Sequence, residues 1–195
     1  MILPIVGYGD PVLRKQGEAI TKDYPELKQV IANMYETMYN AYGVGLAAPQ
    51  VGLPIRLFII DTKPFSEDET LGKEEQEALA GFTKTFINPT IVKEDGEEWG
   101  FNEGCLSIPD VREDVYRQEQ ITIEYYDEDF KKHTDVYDGL IARVIQHEYD
   151  HIEGILFTDK ISSLKKRLIK KKLQNILEGK IRPDYKMKFA AKRGR

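Results

Sequence analysis

The chain has 195 residues, of which 41% are hydrophobic and 31% charged, as in an ordinary soluble one-domain protein. It has no apolar run of the roughly 18 residues that a membrane span needs. The start MILPIVGYGDP lacks the pattern of a secretory signal, and a lone cysteine fits a reducing compartment, so a cytoplasmic protein is expected. The net charge of −5 is uneven, because residues 160–195 carry 14 Lys and Arg against two acids, a local charge of +12.

The first predicted elements are a helix and several strands. A helix is predicted at 25–41, where apolar residues at helical spacing form one stripe: Leu27, Val30, Ile31, Met34 and Met38. Residues 54–61 are predicted as a short buried strand, and 83–93 and 120–128 as further strands. The acidic, polar residues 63–80 are predicted to be a surface insertion.

Two more helices are predicted towards the end of the chain. The first covers about 137–153, with Gly154 to end it, and the second, which is basic, covers about 162–177. The order of helix, antiparallel strands, helix and helix indicates an α+β fold. In this fold the antiparallel strands pack around a central helix, and a C-terminal helix follows.

The helix at 137–153 carries two histidines where its apolar stripe should continue. Leu140, Val144, His147 and His151 are spaced i, i+4, i+7 and i+11 and so share one face. Because one helical turn separates the two histidines, both imidazoles can reach the same cation. The segment HEYDH matches H-E-x-x-H, in which Glu148 is placed to act as a general base beside the ion. The pattern predicts a divalent metal site on this helix.

A catalytic site of this kind needs a third protein ligand. In zincin-like peptidases this ligand lies C-terminal to the motif, where the chain offers Glu153 and Glu178, and His133 lies upstream. The strongest candidate is Cys105 in EGCLS (103–107), because a thiolate is a good ligand for Zn²⁺ or Fe²⁺. Cys105→Ser should therefore cause loss of metal, whereas a zincin-like peptidase would keep it.

Besides a Cys105-ligated catalytic site and a zincin-like peptidase, the sequence leaves open a non-enzymatic RNA-binding protein with a structural metal. A closed structural site needs four protein ligands, so His133 would have to be the fourth.

The stretch GVGLAAPQ at 43–50 has the G-x-G-x-x-A spacing of a dinucleotide-binding loop. Such a loop follows a strand and opens a helix, whose N-terminus binds the phosphate. Here a helix precedes the stretch, and Pro49 and Gly52 prevent a long helix after it. The order of elements is inverted, so nucleotide binding is not expected.

The stretches GVGLAAPQ (43–50), EGCLS (103–107) and QHEYDH (146–151), in this order, closely resemble the signatures of the peptide deformylases. The opening ILPIVGYGDPVLR (2–14) is also similar to that family, and the resemblance covers roughly 2–170. It implies a metal-dependent hydrolase that removes the formyl group from the N-terminal formyl-methionine of new polypeptides and releases formate. We expect a catalytic domain at 1–160 and a basic helix and tail at 161–195.

The resemblance also implies a mechanism. Cys105, His147 and His151 would hold one ion whose fourth ligand is water, and Glu148 would take the water's proton and pass it to the departing amine. The resulting hydroxide would attack the formyl carbon. The Gln50 amide and the backbone N–H of Leu106 would stabilise the oxyanion.

A substrate-binding wall and an apolar slot are expected beside the ion. Gly43 and Gly45 would let the peptide backbone of the substrate lie close to the chain. The methionine slot and its entrance are assigned to Val44, Phe101, Leu140 and Val144, with Arg112 near the entrance.

Cofactor and partners follow from the same resemblance. The family typically works with Fe²⁺, and Zn²⁺, Ni²⁺ or Co²⁺ suit the same ligands. Expected partners are formyl-methionyl nascent peptides and, for the basic helix at 162–177, ribosomal RNA; a monomer with no membrane partner is expected. Deleting the tail should then preserve activity on a short peptide and weaken ribosome binding.

Overall fold

Residues 1–190 are described by the computed structural model of the chain, and the predicted tail at 161–195 extends beyond them by five residues. The α-helices of the described part are α1 (Leu27–Asn40), α2 (Lys73–Ala80), α3 (Gly139–Ile152) and α4 (Ser163–Leu177). The β-strands are β1 (Ile5–Val6), β2 (Gly45–Ala47), β3 (Leu57–Asp61), β4 (Thr83–Cys105), β5 (Ile108–Tyr126), β6 (Lys132–Asp138) and β7 (Met187–Lys188). None of these helices is long and apolar enough to cross a membrane.

Five strands form one antiparallel sheet in the order β2-β3-β4-β5-β6. The strands β4 and β5 make a long hairpin that extends from the pair Ile87–Tyr126 to the pair Cys105–Ile108, where a two-residue turn closes it. The register of the pair shifts between Gly104 and Cys105, which marks an irregularity beside the predicted ligand.

The hairpin is longer than the sequence predicts. The predicted strands at 83–93 and 120–128 form its open end, while residues 94–98 are charged or glycine and largely exposed. Such a stretch lacks the alternating apolar pattern that identifies a half-buried strand. The strand β6 was not predicted for the same reason, and the helix predicted from residue 137 begins instead at Gly139.

The helix α3 lies at the centre of the fold and packs against β2, β3 and β5. Nine of its 14 residues are buried, and they include the polar Arg143, Gln146, Glu148, Asp150 and His151. Gly139, at φ 54°, begins the helix directly after β6 in a conformation that favours glycine. The α+β prediction with a central helix carrying the histidines is confirmed.

The predicted surface insertion at 63–80 forms a short 3-10 helix (Lys63–Glu67) followed by α2. Its two ends are held by the last residue of β3 and the residue after it, because Asp61 Oδ1 accepts the Lys63 N–H at 3.0 Å and Thr62 Oγ1 donates to the Leu79 carbonyl at 2.8 Å. Leu79 is buried. The insertion is therefore fixed on the body of the protein, although most of its residues are exposed.

The two ends of the described chain meet. The strand β7 pairs in parallel with β1, with Ile5 opposite Met187. Ile169 and Ile176 of α4 belong to the same buried cluster as Val6 and Phe189. The division into parts at 1–160 and 161–195 stays a prediction, and the second part shares a core with the first.

Candidate metal centre

The end of β4 and the central helix bring the three predicted ligands together. Ligand atoms of Cys105, His147 and His151 lie within 4.8 Å of one another. Cys105 Sγ is 3.3 Å from His151 Nε2, and the two imidazole rings are 5.1 Å apart. A thiolate and two imidazoles suit divalent iron or zinc, and three ligands leave a position open for reaction.

The alternative third ligands lie in other contacts. His133 Nε2 is 2.6 Å from Asp127 Oδ2, and its ring stacks on Tyr125. Glu153 forms an ion pair with Arg56 at 2.6 Å. Glu178 accepts a hydrogen bond from Gln174 at 2.5 Å. These residues have their own partners and do not belong to the cluster.

Glu103 fixes the orientation of His147. His147 Nδ1 is 2.9 Å from Glu103 Oε2, which leaves the other ring nitrogen for the ion. Arg117 donates two hydrogen bonds to Glu103, at 2.7 and 2.9 Å, and a third to Asp150 at 2.7 Å. Burial opposes ionisation of Glu103, but these hydrogen bonds outweigh it and lower the pKa of the carboxyl well below its usual value.

Sequence reasoning missed this buried network, to which Arg143 also belongs. Arg143 Nη1 donates to Glu103 Oε1 at 3.1 Å and to the Val115 carbonyl at 3.0 Å. The position of Glu103 in EGCLS, two residues before the cysteine, was an available signal. The arginines carried no comparable signal, because they lie on other elements and meet Glu103 only in the folded chain.

Glu148 is buried against a glycine of the GVGLAAPQ stretch. A Cβ at Gly45 would lie 2.4 Å from Glu148 Oε1, so only glycine leaves room for this carboxylate. Burial raises the pKa of Glu148 to about 7. Within residues 1–190, Glu148 Oε2 is buried without a hydrogen-bond partner, which fits a site that takes a further polar group.

Gln50 is buried with its amide held in one orientation. Its Oε1 accepts the Ala47 N–H at 2.8 Å. Its Nε2 donates towards Ser107 Oγ at 3.3 Å and Cys105 Sγ at 3.5 Å. The donor end of the amide is therefore directed to the turn that carries Leu106.

A cavity of about 560 Å³ opens beside the cluster. Eleven predicted site residues line it: Gly43, Val44, Gly45, Gln50, Phe101, Cys105, Leu106, Arg112, Val144, His147 and Glu148. Leu140, which was assigned to the methionine slot, is not among its lining residues and lies one turn before Val144. Its assignment stays a prediction, and Arg143 lines the cavity from the same helix.

One wall of the cavity is aromatic and is partly made by the insertion. Phe65 packs edge-on against Phe101 at 6.2 Å, and Phe101 packs against Trp99 at 5.7 Å. The Arg143 guanidinium lies 4.3 Å over the Trp99 ring. Phe65 and its neighbour Pro64 line the cavity, although the sequence assigned their segment only to the surface.

Residues 2–167 match the family described as polypeptide deformylase. The chain belongs to the peptide deformylase family. It is 77% identical over 196 residues to the peptide deformylase of Flavobacterium johnsoniae, a match that covers 100% of both chains.

Solved peptide deformylases share the fold. The Thermus thermophilus structure is 36% identical and has a TM-score of 0.77, covering 90% of this chain and 98% of that one. The Synechococcus elongatus structure, a complex with actinonin, is 37% identical and has a TM-score of 0.73, covering 95% and 92%. The sequence identities of 36% and 37% indicate membership of the same family in addition to the shared fold.

Family membership establishes the reaction. Peptide deformylases remove the N-terminal formyl group from nascent peptides, and this chain is an enzyme of that family. The family is metal-dependent, in agreement with the Cys-His-His cluster. The match supports deformylation over the zincin-like peptidase and over a protein without enzymatic activity.

Proposed function

We propose that Cys105, His147 and His151 hold a single Fe²⁺ ion for deformylation. The observation that carries the proposal is the convergence of their ligand atoms within 4.8 Å, beside the cavity that Cys105 and His147 line. When bound, the ion supplies Lewis acidity that polarises the formyl carbonyl and activates a water molecule. Zn²⁺, Ni²⁺ and Co²⁺ suit the same donors, so metal analysis of protein prepared without oxygen identifies the ion.

Glu148 is proposed to move the proton in this reaction. Its carboxylate takes a proton from the attacking water and delivers it to the nitrogen of the departing amine. The side chain is buried and lines the cavity, which supports a role at the reacting atoms. Glu148→Ala should lose formate release while keeping its metal.

Gln50 and Leu106 are proposed to stabilise the oxyanion. The Gln50 amide and the Leu106 backbone N–H would donate to the oxygen of the tetrahedral intermediate. The fixed amide of Gln50 supports this role, because a preorganised donor does not have to reorient during the reaction. Gln50→Ala should lower kcat by about a hundredfold and leave the metal content unchanged.

The substrate is proposed to lie along Gly43 and Gly45, with its methionine side chain near Val44, Phe101 and Val144. These side chains line the cavity next to the cluster, which supports an apolar slot there. Arg112, placed near the entrance, is exposed and donates to Asn102 Oδ1 at 3.0 Å.

A formate assay on formyl-Met-Ala-Ser tests the proposal. Cys105→Ser should lose both metal and activity, whereas His133→Ala, which changes a histidine outside the cluster, should keep both. Retention of metal by Cys105→Ser would contradict the ligand assignment. No formate from freshly reduced, iron-loaded wild type would contradict the proposed use of iron.

We also propose that α4 contacts ribosomal RNA on the ribosome. The basic side chains of Arg167, Lys170 and Lys171 are exposed beside Leu168, which is 72% exposed. Because nascent chains emerge at the ribosome, docking there would raise the local concentration of substrate.

We further propose that the enzyme is cytoplasmic and monomeric. Sedimentation at micromolar concentration would test whether it is a monomer.

Charge reversal tests ribosome contact better than deletion of the tail, because residues after α4 pack on the catalytic part. Arg167→Glu combined with Lys171→Glu should weaken ribosome binding and reduce its salt dependence. Lys15→Glu combined with Lys28→Glu makes the same change in net charge at exposed sites outside α4. Equal loss of binding in both double variants would contradict a specific role for α4.

A further inference from the structure

The two-residue turn between β4 and β5 is held from three sides. Gln50 Nε2 donates to Ser107 Oγ at 3.3 Å, and the Tyr8 backbone N–H donates to the Ser107 carbonyl at 2.9 Å. On the third side, the hydroxyl of Tyr185 donates to the Leu106 carbonyl at 2.8 Å. Tyr185 lies 18 residues beyond the segment 2–167 that matches the family.

The segment that carries Tyr185 is fixed to the start of the chain. The Ile5 N–H donates to the Lys186 carbonyl at 2.8 Å, and the Gly7 N–H donates to the Lys188 carbonyl at 2.9 Å. Phe189 is 8% exposed and packs in the cluster that contains Val6. The hydrogen bonds to the Lys186 and Lys188 carbonyls and the burial of Phe189 therefore fix the segment that follows Tyr185, and with it the position of Tyr185.

Leu106 has little freedom to move. A Cβ at Gly43 would lie 2.7 Å from Leu106 Cδ1, so the leucine side chain occupies the space that this glycine leaves. The flanking residues Cys105 and Ile108 are paired in the hairpin. With the carbonyl held by Tyr185, rotation about the Leu106 backbone is restrained, and this restrains the N–H on the other side of the residue as well.

We propose that Tyr185 is a positioning residue for deformylation, which holds the Leu106 carbonyl and thereby aims the Leu106 N–H at the oxyanion. The inference rests on the proposed role of that N–H. It makes the C-terminal segment 181–190 a part of the active site. Tyr185 also lines the cavity, as do Leu106 and Arg112.

The Tyr185 hydroxyl is suited to be a constant donor. Burial raises the pKa of the phenol, and the nearby Cys105 and Asp110 raise it further. The group stays protonated through the pH range of an activity assay. Its contribution should therefore not depend on pH near neutrality.

The test replaces Tyr185 with Phe, which removes the hydroxyl and keeps the ring. Loosening an oxyanion donor should cost less than deleting one, so kcat for formyl-Met-Ala-Ser should fall about three- to tenfold with KM within about twofold of wild type. The metal content and the visible spectrum of the Co²⁺-loaded protein should match wild type. These readouts separate a positioning role from disturbance of the ligands.

Tyr35→Phe is the matched control. Tyr35 and Tyr185 are both partly buried and pack against the same hydrophobic cluster. The Tyr35 hydroxyl is 3.2 Å from Thr85 Oγ1, and Tyr35 is not among the cavity-lining residues. Its kcat should equal that of wild type.

Three results would overturn the inference. An unchanged kcat in Tyr185→Phe, or a raised KM with unchanged kcat, would show that the hydroxyl does not act through Leu106. An equal loss in Tyr35→Phe would indicate a general loss of stability.

Gln50→Ala tests the proposed oxyanion site separately. A slow Gln50→Ala with a normal Tyr185→Phe would refute only the role of Tyr185, whereas a normal Gln50→Ala would refute only the proposed oxyanion role of Gln50, because the inference rests on the Leu106 N–H.

Discussion

At the scale of single residues, the glycines of GVGLAAPQ make room for side chains of the protein itself, in addition to their proposed contact with the substrate. The missing side chain of Gly43 makes room for Leu106, and that of Gly45 makes room for Glu148. Both glycines also line the cavity. One stretch of sequence therefore sets the positions of the proposed general base and the proposed oxyanion donor.

Gly45→Ala should slow the reaction by displacing Glu148. A methyl group 2.4 Å from Glu148 Oε1 must move the carboxylate, and a shift of about 1 Å can cost up to about a hundredfold in rate. We expect kcat to fall by about tenfold or more with the metal retained. Gly72→Ala is the control, because a Cβ there meets nothing within 4 Å. Equal rates in the two variants would contradict the prediction.

Arg14 and Asp159 form an ion pair whose contribution to stability should depend on pH. Arg14 donates to Asp159 at 2.5 and 3.1 Å, and both side chains remain partly exposed. Burial opposes ionisation of Asp159, but the Arg14 hydrogen bond outweighs it and lowers the pKa of the carboxyl. A carboxyl with a lowered folded pKa stabilises the fold above its unfolded pKa and loses that contribution as the pH falls through the folded value.

Arg14→Met should accordingly lower the free energy of unfolding at pH 7 by about 0.5 kcal/mol, the usual size for an exposed pair. The difference from wild type should shrink as the pH falls below the usual Asp value of 3.8. Urea unfolding at pH 7 and pH 3 measures it. A difference that persists at pH 3 would point to lost packing of the arginine side chain.

At the scale of elements, the main departures from expectation are the long hairpin and the insertion. The closed end of the hairpin carries both Glu103 and Cys105, so its length decides where the proposed third ligand, Cys105, reaches α3. The insertion contributes the aromatic face of Phe65 to the cavity. The hairpin and the insertion each contain a charged, exposed stretch, and each also carries a residue that lines the cavity.

Phe65→Ala should raise KM for formyl-Met-Ala-Ser several-fold and change kcat little. The substitution removes one aromatic wall, about 6 Å from Phe101, but no group at the reacting atoms. Glu74→Ala, at an exposed position in α2 of the same insertion, is the control. A lower kcat at unchanged KM would instead link Phe65 to the chemical step.

At the scale of the whole molecule, the centre joins two parts of the chain that are far apart in sequence. Cys105 comes from the hairpin and the histidines from α3, while β1 and β7 close the fold at the two ends of the described chain. The buried Glu103–Arg117–Asp150 contacts also connect the hairpin to α3. Metal binding and tertiary packing should therefore depend on each other.

Removing the metal with a chelator should lower the thermal midpoint of unfolding. An ion present at a thousandfold excess over its Kd stabilises a fold by about 4 kcal/mol, which corresponds to a shift of roughly 8–16 °C for a chain of this size. Cys105→Ser, expected to bind no metal, should show no such shift. Calorimetry with and without chelator measures both, and an equal shift in the variant would contradict the assigned ligand.

The sequence by itself determined the local features of this protein. The i, i+4 histidines with Glu148 follow from helical geometry, and three ordered motifs identified the family whose match covers 2–167. Cys105 was assigned from its chemistry. The inference from the two histidines was possible because helical periodicity fixes the direction of a side chain relative to its own backbone.

Only the tertiary structure decided which distant residues support the site. Glu103 meets Arg117 and Arg143, which are 14 and 40 positions away. Phe65 reaches the cavity from an insertion with no apolar pattern, and Tyr185 reaches Leu106 across 79 positions. These contacts depend on how elements pack and pair, and local spacing does not encode that arrangement.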